Sequence, residues 1–146
     1  MKDPTNEIIN ALHDAISGQV TYNSKNIPVY TRVIEWGDRT VDQFIQIAEA
    51  SLIEDGPKDA YLSRGTVSIY VDTFFEGKNA GSWLPANSIS TAITQLIDTI
   101  FSLSGFIQIL GEVAAIESFD YDLDDGGAVF RKLITYGFII EELIGD

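Results

Sequence analysis

The chain has 146 residues and carries 22 Asp and Glu against nine Lys and Arg, a formal charge of −13. The absence of cysteine excludes disulfides and thiolate metal sites, and the few, scattered bases argue against a basic face that grips nucleic acid. An ordinary apolar fraction of 45% at this length implies one domain, residues 1–146, with a core of its own and no global disorder.

The first helix is predicted over residues 7–17. Ile8, Ile9, Leu12, Ala15 and Ile16 recur at three-to-four spacing, Thr5 or Asn6 is available as N-cap, and Gly18 as C-cap. Lys2 and Asp3 run directly into this amphipathic segment, so no secretory leader is expected. Residues 23–26 read as a turn, and Pro28 bars a central strand there. Residues 29–35 (VYTRVIE) alternate and are β-branched, which predicts a strand broken by Trp36-Gly37-Asp38-Arg39. Residues 43–54 (QFIQIAEASLIE) predict a second strand, bulged where the alternation slips near residues 48–51, with a helical reading as competitor. The run Glu54 to Asp59 is the clearest loop, and a long period-two strand follows over residues 61–76.

A second helix is predicted over residues 87–103, capped by Asn87 or Ser88, with Ile89, Ala92, Ile93, Leu96, Ile97, Ile100 and Phe101 forming the stripe that docks on the sheet. The weakly polar run from Ile93 to Leu110 is interrupted by Gln95, Asp98, Ser102, Ser104 and Gly105, and reads as a core helix and its exit, with no membrane span. Two strands close the chain, residues 112–121 and 128–143. They are joined by the acidic turn Asp122-Leu123-Asp124-Asp125-Gly126-Gly127, a hairpin signal.

Candidate chemistry is sparse. Asp120, Asp122 and Asp124 alternate like calcium-loop ligands, but Asp125 stands where glycine is needed and Arg131 where a bidentate glutamate is needed. The turn therefore reads as a solvated hairpin tip. His13 is the single histidine, and no Gly-x-Ser-x-Gly elbow accompanies it. Gly77-Lys78 departs from the phosphate-loop pattern, because the lysine follows the wrong glycine. No catalytic residue, cofactor or metal site is expected, and the chain reads as a non-enzyme. Aromatics near turns (Trp36, Tyr61, Phe74, Phe75 and Trp83) are divided between core packing and interface anchoring, since Phe74 and Phe75 cannot both face inward from one strand.

The order of these elements resembles the bacteriophage tail-completion and tail-terminator family, which includes head-to-tail joining proteins. The resemblance is carried by NEIINALHDAISG, IPVYTRVIEW, FIQIAEASLIEDGPKDAYLSRGTVSIYVDTFFEG, NSISTAITQLIDTI and the closing FRKLITYGFIIEE, and so spans nearly the whole chain. It implies an α+β fold, a mixed or antiparallel sheet with two amphipathic helices on one face. It also implies a structural virion protein of tail or neck, assembled in the host cytoplasm as a hexameric or dodecameric homo-oligomer ring. Its partners would be tail tube, portal or connector proteins, with DNA passing through the lumen unbound and no membrane contact. By position, the contact loops would hold Glu54, Asp55, Lys58, Asp59, Tyr61 and Arg64, and Asp122, Asp124 and Asp125. The acidity would suit a channel that DNA crosses without sticking. The alternatives are a small acidic adaptor domain acting as monomer or dimer and, more remotely, a small-molecule enzyme with a cleft between the second helix and the sheet.

Overall fold

The computed structural model describes residues 2–55, 62–77 and 81–143, with the side chains of residues 54 and 55 left aside. Helix α1 (Thr5–Ile16) buries Ile8, Leu12 and Ile16 completely. Neither predicted cap closes its start. Pro4 occupies the N-cap position without a side-chain bond, and the Asp3 carboxylate instead accepts from the Thr5 backbone N–H at 2.9 Å and from the Thr5 hydroxyl. Those bonds hold the Asp3 carboxyl below its usual pKa. Gly18 follows the helix at φ +75° in the left-handed region, as a C-terminal glycine should.

The turn expected at residues 23–26 is a tight hairpin. Strands β1 (Thr21–Tyr22) and β2 (Lys25–Asn26) pair around Asn23 and Ser24, both at positive φ. Strand β3 (Val29–Tyr30) is far shorter than predicted and runs parallel to β4 (Gln43–Asp55). The chain leaves the sheet after Tyr30 because other partners take it: the Gln46 side-chain oxygen accepts the Ile34 N–H at 2.7 Å, and a 3₁₀ turn (Trp36–Asp38) follows. Strand β4 has its bulge where the alternation slips, with the register shifting between Ile47 and Glu49. The helical alternative for it is excluded. Strand β5 (Leu62–Phe75) follows the prediction closely.

Helix α2 (Leu84–Ile97) starts earlier and ends earlier than its periodicity suggests. The Ser82 hydroxyl accepts the Leu84 N–H at 3.0 Å, and Pro85 occupies the first turn, where its missing N–H costs nothing. At the far end the Asp98 carboxylate accepts the Val113 N–H, the Thr99 carbonyl accepts the Tyr136 hydroxyl, and the Gln108 amide oxygen accepts the Phe101 N–H. These bonds draw residues 98–101 off the helix, and Ile100 ends exposed rather than docked. Two residues form β6 (Ser102–Leu103). Strand β7 (Phe106–Asp122) begins six residues before the predicted start and leads through the acidic turn into β8 (Ala128–Glu142).

The main sheet has the order β3-β4-β5-β8-β7-β6, with every pair antiparallel except β3 with β4, so it is a mixed sheet. Both helices lie on one face, α1 over β3, β4 and β6 and α2 over β5, β7 and β8, and they touch each other. The core between them joins Ile8, Leu12 and Ile16 to Ile89, Ile93 and Ile97 above Ile45, Ile69, Val71, Ile134, Tyr136 and Phe138. Each fully buried large side chain of this kind contributes about 1.5–3 kcal/mol before entropy is subtracted. The fold is thus α+β, with two helices on one face of a mixed sheet.

Candidate interaction surfaces

Among the described residues, the face of the sheet away from the helices is covered at one end only. There residues 30–42 fold across Phe44, Phe74 and Val129, bringing Tyr30, Ile34 and Trp36 onto them. A buried carboxylate anchors this cover. Asp72 is fully buried and binds Arg131 twice, from Nε at 2.6 Å and from Nη2 at 2.9 Å. Asp72 also accepts from Gln46 Nε2 at 2.7 Å and from the Trp36 indole N–H at 3.1 Å. The Arg131 guanidinium lies over the Tyr70 ring, 4.1 Å from its centre, and 5.2 Å from that of Trp36. Burial alone would lower the Arg131 pKa, but Asp72 more than compensates and the group stays above its ordinary value. Every polar atom of this carboxylate is satisfied from within the protein, which suits a structural tie rather than a reactive group.

The sequence-predicted contact residues do not converge. Lys58, Asp59 and Tyr61 lie outside the described residues. Glu54 and Asp55 end β4, in backbone register with Ser63 and Leu62, and Arg64 is exposed on β5 beside them. Asp122 ends β7, while Asp124 and Asp125 are exposed on the turn, where the Asp125 carboxylate accepts the Gly127 N–H at 3.0 Å. The two groups sit at opposite ends of the central strands, since Leu62 is in register with Glu141 and Phe75 with Ala128. At the rise of an extended chain that separation is roughly 45 Å. Among the described residues, no three carboxylates or histidines gather at metal-binding distances, and His13 Nδ1 lies 3.5 Å from Asp14.

The described aromatics considered as interface anchors serve internal packing instead. Phe74 turns to the far face, stacked on Phe44 at 5.9 Å and edge-on to Trp36 at 5.7 Å. Phe75 turns the other way onto Phe130, which also receives the Trp83 ring at 4.8 Å.

The exposed apolar surface lies elsewhere. Beyond Ile107, where β6 ends its pairing, no strand flanks the outer side of β7 among the described residues. That strand exposes Ile107, Ile109, Leu110, Ile116, Phe119 and Tyr121, by 36% to 53% of their surface. Among the described residues the opposite side of the sheet is also open, because β3 covers β4 only at Ile45 and Gln46. Beyond them Ile53 is 66% exposed. The signal in the sequence was the run Ile107-Gln-Ile-Leu-Gly-Glu-Val-Ala-Ala-Ile116, too apolar for a loop yet only partly assigned to a strand.

No protein-family profile and no curated protein sequence matches the chain. Among solved structures, it is similar to a chain of the virion of the native gene transfer agent particle. The TM-score is 0.69 at 10% identity, over 97% of this chain and 99% of that one, a likeness of fold across the full length of both.

Proposed function

We propose that this chain is a structural virion protein, a ring-forming tail terminator or head–tail connector that works by self-association and docking and catalyses no reaction. The observation that carries this reading is the likeness of fold, end to end, to a chain of a gene transfer agent virion. The two open sheet edges supply surfaces on which copies could join, and ring closure would cover them. The formal charge of −13, multiplied around a ring, suits a lumen that DNA traverses without adhering. Tail tube, portal or connector proteins would be the partners above and below, with the acidic tip at Asp122, Asp124 and Asp125 at one end of the strands and Arg64 at the other.

The test is the native mass of the purified protein over a range of concentrations, with negative-stain imaging of large species. Closed rings are the expected result, and their symmetry separates a six-fold terminator from a twelve-fold connector. A species that stays monomeric or dimeric at every concentration would overturn the ring and favour a small acidic adaptor domain.

A further inference from the structure

The open edges of β4 and β7 are related in a way that a single copy does not use. Each of the three junctions between them, β4 with β5, β5 with β8 and β8 with β7, is antiparallel, so β4 and β7 run in opposite directions. A second copy placed beside the first in the same orientation therefore presents its β4 antiparallel to the first copy's β7. The edges are also level. Leu110 pairs with Ile139, Ile139 with Arg64, and Arg64 with Ile53, which puts Leu110 and Ile53 in one row across the sheet. Residues directly across such a ladder share a face, so both exposed side chains lie on the face away from the helices. The next row runs from Glu112 through Gly137 and Thr66 to Ser51.

Resting on the ring reading above, we infer that β7 of one copy lies antiparallel beside β4 of the next, joining their sheets edge to edge with Leu110 against Ile53. Three features select this partner. Strand β7 carries Glu112, Glu117, Asp120 and Asp122 and no base, so two β7 edges would set carboxylates against carboxylates. The open part of β4, from Ile47 to its end at Asp55, carries three carboxylates, Glu49 and, past Ile53, Glu54 and Asp55, against the four of β7. Successive copies joined by unlike edges make a heterologous contact, the kind that closes into a ring where the rotation between copies permits and runs on as a filament where it does not. Within β7 the Asp98 carboxylate already accepts the Val113 N–H and the Leu110 carbonyl already accepts from Gln108 Nε2. Leu110 therefore enters the joint through its side chain, and the backbone pairing draws on groups past the register shifts between Gln108 and Leu110 and between Val113 and Ala115.

The absence of native cysteine makes the joint directly testable. The full-length double variant Ile53→Cys/Leu110→Cys, treated with a short bismaleimide, is expected to give a ladder of covalent multimers ending at the ring size. Each single variant should give nothing beyond a dimer. Wild-type rings without a ladder from the double variant would overturn the edge joint and leave the ring reading standing, whereas a wild-type monomer without a ladder would overturn both. Ile53→Lys and Leu110→Lys provide a second measurement at positions where folding is not at stake. Each should shift rings to monomer with an unchanged circular dichroism spectrum, and rings of normal mass from both would overturn the joint.

Discussion

Asp72 and Arg131 stand 59 residues apart and meet on neighbouring central strands, with the Trp36 indole closing the group from above. Removing the carboxylate would strand a guanidinium whose side chain keeps only 18% exposure. Breaking such a pair costs several kcal/mol when both partners are fully buried, and the residual exposure of Arg131 discounts this. Asp72→Ala is therefore expected to lower unfolding stability by about 2–3 kcal/mol in urea and to red-shift tryptophan emission as Trp36 loses its acceptor. A loss below about 0.5 kcal/mol, the range of an ordinary surface change, would show the pair to be dispensable. Tyr136 gives a second residue-scale test. Burial raises its pKa above the ordinary 10.0, the Asp98 charge adds to this, and the Gln108 hydrogen bond opposes it. The unfolded chain then ionises first as pH rises, so this contribution to stability is complete below pH 10 and is lost as pH climbs through the folded value. Denaturation midpoints measured on either side of that pH should fall on the alkaline side, and Tyr136→Phe should flatten the fall; an unchanged slope would assign it to other tyrosines.

Elements whose side chains meet neighbours in simple alternation were legible from the sequence. Strands β4, β5 and β8 each lie within a residue or two of the predicted spans, and the bulge at Ala48 sits where the pattern slips. Elements that end because a distant group captures their backbone were not. Ile100 and Phe101 continue the helical period of α2, but Tyr136, remote in sequence, and Gln108, seven residues on from Phe101, hold residues 99 and 101 away from it. Thr31 to Glu35 extend the β pattern of β3, but Gln46 captures Ile34. The open edge of β7 is hidden in the sequence for a related reason: its first residues look like the exit of α2, which has already ended. The contact loops at Glu54 to Arg64 and at Tyr121 to Ala128 follow from position in the family resemblance, and position in the element order does not report which strand lacks a neighbour.

For the whole molecule, net charge opposes association while exposed apolar edges favour it. With −13 per copy, rings should be scarcer at low ionic strength and grow as salt approaches the physiological range, where screening shortens the reach of like-charge repulsion to about 8 Å. Native mass at fixed protein concentration and varied salt measures this directly. Rings that dissolve as salt rises would mean that ion pairs, rather than the apolar side chains of β4 and β7, dominate the joint.

Strand β8 comes last in the order of elements yet occupies the middle of the sheet, hydrogen-bonded to β5 on one side and β7 on the other. During synthesis the two halves of the sheet therefore share no strand-to-strand hydrogen bonds, only the helices packed across them, until β8 emerges. A chain without β8 lacks the continuous row from Ile53 to Leu110, because Ile139 is its central link. The level alignment of the two edges is therefore set only once β8 is in place. Such late, long-range closure also makes folding slow, since loop-closure entropy must be met before the central pairings return any stability.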